Sequence, residues 1–294
     1  MDNSGMDIPF TKMHGAGNDF IVLDARAGLA RAVLEPEQLR AMADRRFGIG
    51  ADQILLVAAS PSPEADFVYR IFNADGHEVE QCGNGARCFA RYVVQKGLAP
   101  GPVIRVQTKA GLILPRIEAS GDISVDMGPA RWAPEDLPFD VEDLPTRQAG
   151  ACPVYGLLDN DGQCHWLCPV SMGNPHLVEW VCDLSQHPVD RDGPWLESHP
   201  RAHHRVNAGY AQQTGQQSIG LRVFERGAGE TLSCGTGACA AVVSGILQGR
   251  LTADAPISVS TRGGLLHVQW SGDPSAAVFL TGPAVTVYEG VWSL

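Results

Sequence analysis

Lysine is scarce in this chain of 294 residues, which contains only Lys12, Lys96 and Lys109. An enzyme that uses pyridoxal phosphate needs a lysine to form the Schiff base. Lys96 closes a predicted helix, and Arg262 replaces Lys109 in the internal repeat described below. We therefore do not expect a pyridoxal phosphate enzyme.

The chain also lacks basic clusters and long apolar runs. It has 22 Lys+Arg against 33 Asp+Glu, a formal net charge of -11, so we expect neither nucleic acid nor a membrane surface as a partner. The longest apolar stretch, residues 238–247, is interrupted by Ser244 and Gly245 and is too short to span a bilayer. The first residues lack the basic and apolar regions of a secretory signal, so we expect a cytoplasmic protein.

The eight cysteines are numerous for a cytoplasmic chain, and they are not expected to form a disulfide framework. A metal site or catalysis is the stronger expectation for them. Cys164, His165, Cys168, His176 and Cys182 could suggest zinc, but their spacing is irregular and no second paired set exists. We therefore expect no metal.

The chain contains an internal repeat at an offset of 152 residues. Residues 70–97 share 8 identities in 28 positions with residues 222–249, where unrelated segments would share about two. After one inserted residue, the match continues between 104–112 and 257–265. Upstream, residues 17–22 resemble residues 173–178. These matches predict two homologous halves.

Each half shows the same predicted elements. Residues 68–72 and 221–224 are rich in β-branched and aromatic residues, which predicts strands, and alternating segments at 103–106 and 257–260 predict two more. Helices are predicted over 86–96 and 238–248, the second almost wholly apolar and therefore buried. Residues 129–153, rich in proline and acidic residues, are interpreted as a connection between the halves. The architecture is therefore predicted to be mostly β, with one or two helices per half.

The repeat places Cys82 and Cys234 immediately before the two predicted helices, each followed by a glycine-rich segment. Unpaired N–H groups and the positive end of the helix dipole favour a thiolate, so we expect each thiol pKa to fall from about 8.5 toward neutrality. The same N–H groups can bind a carboxylate. Two equivalent thiols suit the inversion of a stereocentre, in which one removes a proton from Cα and the other delivers one to the opposite face.

The sequence resembles the diaminopimelate epimerase family over essentially its whole length. The matching segments are HGAGNDF at 14–20, GIGADQ at 48–53, FNADGHEVEQCGNGAR at 72–87, GNPH at 173–176, VNAGY at 206–210 and ERGAGETLSCGTGA at 225–238. The resemblance implies an isomerase of lysine and peptidoglycan precursor biosynthesis that epimerises LL-2,6-diaminopimelate to meso-diaminopimelate, a small amino-acid substrate. It implies no cofactor and no metal. It also implies an α+β fold of two pseudo-symmetric, mostly β domains, each wrapped around a central helix, with the active site in the interdomain cleft.

Site residues are carried over position by position. Cys82 and Cys234 would be the catalytic acid/base pair, and the N–H groups of Gly83, Asn84, Gly235 and Thr236 would bind the reacting carboxylate. The remaining substrate-binding residues would be Asn18, Gln53, Asn73, Asn174, Asn207, Glu225 and Arg226. His176 and Glu225 would tune the pKa of the cysteines, and Tyr288 would be a contact of a homodimer. The resemblance also implies that the last strand returns to the first domain, giving domains 1–126 plus 281–294 and 127–280.

Other functions were weighed against this one. Proline or hydroxyproline racemases would keep the two thiols, but Arg226 and several asparagines indicate a substrate with a distal charged end, which proline lacks. A redox or sensor protein would usually carry Cys-x-x-Cys, and this sequence has none. Gly235, Gly237 and Ala240 formally fit a dinucleotide fingerprint, but the glycine-rich loop before them breaks the required strand–turn–helix run.

Overall fold

The structure, a computed structural model, describes residues 7–26, 35–79, 82–99 and 101–293. Glu80 and Gln81 of the segment before Cys82 lie outside the described residues, as do residues 1–6, 27–34, 100 and 294 of the predicted domains. The chain divides into two compact units, which we call unit 1 (residues 1–125 and 282–294) and unit 2 (residues 126–281). Within the described residues, no helix is both long enough and apolar enough to cross a bilayer.

The described residues form short strands and a few helices. The helices are α1 (Pro36–Ala43), α2 (Gly83–Gln95), α3 (Val189–Glu197) and α4 (Gly235–Leu247), with a 3₁₀ turn at Pro134–Asp136. The strands are β1 (Asp7–Gly15), β2 (Asn18–Asp24), β3 (Gln53–Ala59), β4 (Phe67–Asn73), β5 (Glu78–Val79), β6 (Val106–Thr108), β7 (Gly111–Ile113), β8 (Arg116–Ile117), β9 (Ile123–Pro129), β10 (Thr146–Ala149), β11 (Cys152–Leu158), β12 (Cys164–Ser171), β13 (Pro175–Trp180), β14 (Asn207–Gly215), β15 (Ser218–Glu225), β16 (Gly229–Thr231), β17 (Ile257–Thr261), β18 (Gly264–Gln269), β19 (Ala277–Gly282) and β20 (Val285–Ser293). This composition confirms the predicted mostly β, α+β fold.

The sheet of unit 1 has the strand order β20-β1-β2-β3-β4-β6-β7, with β5 paired to β4. Pairing alternates along it: β1/β2 and β3/β4 are antiparallel, whereas β2/β3 and β4/β6 are parallel. Helix α2 packs beside this sheet and buries Cys88, Phe89 and Val93. The returning strand β20 pairs with β1 and forms an edge of the sheet.

Unit 2 repeats this arrangement. Its sheet contains, as successive neighbours, β10, β11, β12, β13, β14, β15, β17, β18, β19 and β9, with β16 paired to β15. The pairs β12/β13 and β14/β15 are antiparallel and β13/β14 and β15/β17 are parallel, the same alternation as in unit 1. The apolar helix α4 is buried along almost its whole length, as its composition predicts.

The register of the sheets reproduces the sequence repeat. Phe67 is paired with Val106 in unit 1, and Ile219 is paired with Val259 in unit 2. The repeated ion pairs also match, because Arg70 Nε contacts Glu78 Oε1 at 2.8 Å and Arg222 Nε contacts Glu230 Oε1 at 2.7 Å. The repeated residues therefore make equivalent strand pairs and ion pairs in both units. A chance similarity between glycine-rich loops would not produce these matches.

Two local predictions need correction. Residues 129–153 are not only a connection, because Thr146–Ala149 forms β10, whose Thr146 pairs with Tyr155 of β11. The proline and acidic content of the segment hid this edge strand. The strand predicted over 103–106 is also shorter: only an isolated bridge at Val103 precedes β6, which begins at Val106.

A buried ion pair in unit 2 gives a pH-dependent contribution to stability. His165 is 1 % exposed, and its Nδ1 lies 3.0 Å from Oε2 of Glu179. Hydrogen bonding to this carboxylate raises the pKa of His165 above its ordinary value. The charged pair therefore stabilises the fold fully below the unfolded-state pKa of about 6.5, and this contribution is lost as the pH rises through the folded-state pKa.

Replacing His165 by phenylalanine, which keeps an aromatic ring beside Trp195, tests this contribution. We expect the free energy of unfolding to fall by about 3 kcal/mol at about pH 5.5 and by less at about pH 8.5. Urea unfolding at the two pH values measures the difference. His77→Phe is the control, because the His77 side chain is 79 % exposed and its replacement should change the free energy of unfolding little. A loss in the His165 variant that grows with pH would contradict the assignment.

Candidate active site

Cys82 and Cys234 occupy equivalent positions at the start of the two buried helices. Each has an extended backbone, and its carbonyl accepts the first helical N–H, from Ala86 at 2.8 Å and from Ala238 at 2.9 Å. The helices begin at Gly83 and Gly235, three residues before the predicted starts. The prediction that a cysteine immediately precedes each helix is therefore confirmed.

The Cys234 side chain is enclosed by the first turn of α4. Its Sγ accepts a hydrogen bond from the N–H of Gly237 at 3.4 Å and lies 3.5 Å from Oγ1 of Thr236. A Cβ at Gly237 would lie 2.9 Å from Val223 Cγ2 and 3.3 Å from the sulfur. Only glycine fits here, because real Cβ atoms do not approach carbon so closely.

Burial raises the pKa of Cys234 well above its ordinary value, and the negative charge of Glu225 raises it further. The hydrogen bonds from Thr236 and Gly237 act in the opposite direction and are outweighed. The prediction that this thiol pKa falls toward neutrality is therefore wrong for Cys234, because desolvation of the thiolate exceeds the effect of the helix N-terminus. Cys234 is therefore a thiol at neutral pH. For Cys82 the expectation stays a prediction.

His176 connects the Cys234 region to three polar side chains. Its Nε2 lies 3.1 Å from Thr236 Oγ1, 3.2 Å from Asn174 Oδ1 and 3.5 Å from Asn207 Nδ2. Burial, together with the charge of Arg226, lowers the pKa of His176 to about 3. The imidazole is therefore neutral, and the Thr236 hydroxyl contacts both it and the cysteine sulfur.

Glu225 is held by a threonine that the sequence reasoning missed. Thr231 Oγ1 donates a hydrogen bond of 2.5 Å to Glu225 Oε1. Thr231 ends β16, three positions before Cys234, and its counterpart in the first repeat is Val79, so the repeat gave no signal for it. This hydroxyl fixes the carboxylate whose charge raises the pKa of Cys234.

In unit 1, Asn18 is the centre of a polar cluster beside Cys82. Its Oδ1 accepts a hydrogen bond from Asn84 Nδ2 at 3.2 Å and lies 3.7 Å from Cys82 Sγ. Its amide donates to Asp52 Oδ2 at 2.9 Å, and buried Arg87 donates to Asn84 Oδ1 at 2.9 Å. Asp52 and Arg87 were not predicted as site residues. Both lie inside the quoted segments, which is the signal that could have found them.

Gln53 and Asn73 form a second pair in unit 1, where Gln53 Nε2 donates to Asn73 Oδ1 at 2.9 Å. Gln53 begins β3 opposite Phe20 of β2, just as Asn207 begins β14 opposite His176 of β13. The two units therefore place predicted binding residues at equivalent strand ends. The predicted binding residues of the two units differ in charge, because the charged residues Glu225 and Arg226 belong to unit 2.

Arg226 lies on the exposed turn between β15 and β16. Its N–H donates to Asn207 Oδ1 at 2.9 Å, and its Nη1 donates to the carbonyl of His204 at 3.3 Å. Tyr288 is not part of either cluster. It lies on the edge strand β20, where its side chain is 45 % exposed.

The residues weighed as a zinc pattern contact other partners. Cys168 Sγ lies 3.7 Å from Cys152 Sγ, His165 contacts Glu179, and His176 contacts Thr236. Among residues 7–26, 35–79, 82–99 and 101–293, no group of three His, Cys, Asp or Glu is placed to hold a metal ion.

Comparison with known proteins adds the family. A family model described as diaminopimelate epimerase matches residues 10–133 and 168–287. The diaminopimelate epimerase of Herminiimonas arsenicoxydans is 55 % identical over 286 residues, covering 97 % of this chain and 99 % of the relative. That of Laribacter hongkongensis is 53 % identical over 285 residues, with coverage of 97 % and 99 %.

Solved structures share the fold at low identity. A PhzF-family phenazine biosynthesis protein of Bacillus anthracis gives a TM-score of 0.70 at 17 % identity, covering 98 % of this chain and 99 % of that one. A hydroxyproline epimerase of Agrobacterium vitis gives 0.67 at 14 % identity, covering 98 % and 93 %. These likenesses show the fold alone. The family model and the sequence identities above 50 % show that this chain belongs to the diaminopimelate epimerase family.

Proposed function

We propose that this protein interconverts LL-2,6-diaminopimelate and meso-diaminopimelate without a cofactor: one cysteine removes the α-proton, and the other delivers its own proton to the opposite face. The observation that carries the proposal is the duplicated cysteine at the N-terminus of a buried helix, at Cys82 and at Cys234. Family membership supplies the substrate class.

The proposed reaction needs one thiolate and one thiol at the same α-carbon. One sulfur accepts the α-proton, which leaves a carbanion delocalised into the adjacent carboxylate, and the other sulfur donates its proton to the opposite face. The reverse reaction exchanges the two roles. Each cysteine must therefore serve as acid in one direction and as base in the other.

The helix N-termini can bind the reacting carboxylate. The first N–H groups of a helix have no partner within the helix, and they carry a partial positive charge. We assign this role to Gly83, Asn84, Gly235 and Thr236, which begin α2 and α4. Such donors would stabilise the negative charge that moves onto the carboxylate in the transition state.

We propose that charged and amide side chains bind the distal end of the substrate. The guanidinium of Arg226 can hold a carboxylate with two parallel hydrogen bonds, and Glu225 can accept from an ammonium group. The amides proposed to complete the binding set are Asn18, Gln53, Asn73, Asn174 and Asn207. His176 and Glu225 are proposed to set the pKa of Cys234, for which their positions near Thr236 and the sulfur are the support.

Solvent deuterium provides the decisive test. The purified protein, with no cofactor added, is expected to exchange the α-hydrogen of LL-diaminopimelate in deuterated water and to form the meso isomer. Mass spectrometry and chiral chromatography measure the two events, and L-proline is the comparison substrate. No exchange with diaminopimelate, or faster exchange with proline, would overturn the proposal.

The cellular setting follows from the same proposal. The product class would serve lysine and peptidoglycan precursor biosynthesis, and we propose a cytoplasmic location for this reaction. We also propose that residues 1–126 with 281–294, and residues 127–280, are two homologous epimerase domains.

We further propose a homodimer that forms through β20. This edge strand exposes Val287, Tyr288 and Val291, which are 55 %, 45 % and 59 % exposed. The Tyr288 ring packs edge-on against Phe10, so it is held in place on the strand. An exposed apolar edge strand is a surface that a second copy can cover.

Tyr288→Glu tests the dimer. We expect the unsubstituted protein to sediment as a dimer and this variant as a monomer, because a charge would be buried in the interface. Phe279→Glu is the matched control, since Phe279 is an aromatic residue of similar exposure, 44 %, on β19 of unit 2. A monomer in all three proteins, or a dimer in all three, would contradict the assignment of β20.

A further inference from the structure

The turn that carries Arg226 is held from outside by two side chains. Ala228 N–H donates to the carbonyl of Glu225 at 3.1 Å, which closes a four-residue turn, and Gly227 has a φ of +72°. The N–H groups of the two middle residues of the turn, Arg226 and Gly227, donate to side chains outside the turn. Arg226 N–H donates to Asn207 Oδ1 at 2.9 Å, and Gly227 N–H donates to Glu197 Oε1 at 2.9 Å.

Glu197 is a buried carboxylate. It ends helix α3, and its side chain is 5 % exposed. The same oxygen that accepts from Gly227 also lies 3.3 Å from Nη1 of Arg205. A carboxylate buried to this degree is unfavourable unless it is paired and hydrogen-bonded, so these two contacts constrain its position.

Glu197 also holds the segment that leads into Asn207. Its main-chain carbonyl accepts the N–H of Val206 at 3.1 Å. Arg205, which pairs with the Glu197 side chain, has a φ of +58°, a left-handed conformation that is unfavourable for a residue other than glycine. The side chain of Glu197 thus pairs with Arg205, and its main-chain carbonyl binds Val206. These two residues directly precede Asn207.

These contacts converge on two residues assigned to substrate binding. Glu197 fixes Gly227, which follows Arg226, and it fixes Val206, which precedes Asn207. Asn207 in turn holds the N–H of Arg226. None of the quoted family segments includes Glu197, and the sequence reasoning did not select it.

We propose that Glu197 is a positioning residue that holds the Arg226 turn and Asn207 in their substrate-binding arrangement. The inference rests on the proposed function, because it assigns the turn to substrate binding. A small displacement of a binding group weakens its contacts with substrate without removing any reacting group. The loss of Glu197 should therefore act on KM more than on kcat.

Asp192 offers a matched control on the same helix. Its side chain is 4 % exposed, and its carboxylate pairs with Arg191 at 2.6 Å and lies 3.5 Å from His187 Nε2. Within the part of the chain that the structure describes, these ion pairs of Asp192 do not involve the Arg226 turn. A variant of Asp192 therefore removes an equally buried charge from α3 and leaves the Gly227 hydrogen bond in place.

The experiment compares Glu197→Ala, Glu197→Gln and Asp192→Asn in the full chain. Steady-state kinetics with LL-diaminopimelate give kcat and KM, and hydrogen–deuterium exchange of the peptide that contains Gly227 reports the turn directly. We expect Glu197→Ala to raise KM by about 10- to 100-fold and to lower kcat by less than about threefold, with faster exchange at Gly227. Glu197→Gln keeps a carbonyl acceptor and should fall between Glu197→Ala and the unsubstituted protein.

Kinetics and hydrogen–deuterium exchange together distinguish a failure of the proposed function from a failure of the positioning role of Glu197. If the unsubstituted protein does not epimerise diaminopimelate, the proposed function fails, and exchange at Gly227 still tests the contact. A KM within about twofold of the unsubstituted value in an active, folded Glu197→Ala would overturn the positioning role. So would an equal rise in KM for Asp192→Asn, because it would assign the effect to the stability of α3. Should Glu197→Ala not fold, Glu197→Gln carries the same comparison.

Discussion

Replacing Cys82 or Cys234 by alanine is expected to lower kcat/KM for epimerisation by about 10³-fold or more, with the fold retained. Each thiol is used once per turnover in the proposed reaction, and a positioned acid or base contributes about 10² to 10⁴ in rate. Chiral chromatography of product formed from LL-diaminopimelate measures the loss. Epimerisation at an unchanged rate in either variant would refute the two-thiol mechanism.

The chain provides its own controls for this result. Cys88 and Cys239 are buried cysteines of α2 and α4, six residues after Cys82 and five residues after Cys234. Alanine at either of these positions removes a sulfur from the same helix without touching the proposed reaction. We expect activity within a few-fold of the unsubstituted protein in both cases. A loss as large as that of the Cys82 variant would indicate that packing of the helices, and not proton transfer, explains the effect.

The raised pKa of Cys234 adds a pH dependence. Because burial and Glu225 hold this sulfur as a thiol, the fraction available as a base increases as the pH rises. In the direction that uses Cys234 as base, kcat/KM should therefore rise with pH through the neutral range.

Replacing Arg226 by methionine is expected to raise KM for LL-diaminopimelate by about 100-fold. A charge-assisted, two-pronged hydrogen bond to a carboxylate contributes about 1.5–3 kcal/mol, and methionine keeps most of the side-chain volume without the charge. The main-chain hydrogen bond from Arg226 to Asn207 does not involve the side chain, so the turn should persist. Steady-state kinetics and thermal melting give the two readouts.

A lysine at the same position refines the test. Arg226→Lys keeps the positive charge and loses the planar fork, so its KM should lie between those of the methionine variant and the unsubstituted protein. Arg262→Met is the control, because Arg262 is half exposed and pairs with Glu230 of β16. An unchanged KM in Arg226→Met would remove this residue from the binding set.

The duplicated elements could be predicted from sequence because their signals are local. A β-branched run, a glycine-rich loop, a cysteine and an apolar helix follow one another in each half, and residues 104–112 align with 257–265 after one insertion. The structure reproduces that insertion in its register, since Phe67 pairs with Val106 and Ile219 with Val259. Periodicity and loop composition were sufficient for these elements.

The features that sequence missed depend on contacts between distant positions. The pKa of Cys234 is raised mainly by burial of its side chain in the folded protein, and a sequence motif does not show burial. Asp52 reaches Asn18 across 34 positions, and Glu197 reaches Gly227 across 30. Thr231 lies close to Glu225 in sequence, but its role depends on the pairing of β15 with β16. Function was therefore easier to predict than the groups that tune it.

The return of β20 to β1 has a consequence for synthesis on the ribosome. Asp7 pairs with Ser293 in this register, so the sheet of unit 1 receives its edge strand only when β20 has been translated. Unit 2 is one continuous segment, residues 126–281, and all of it emerges before β20. Unit 2 can therefore complete its fold before unit 1 does. Until β20 is translated, the β1 edge of the unit 1 sheet has no partner strand.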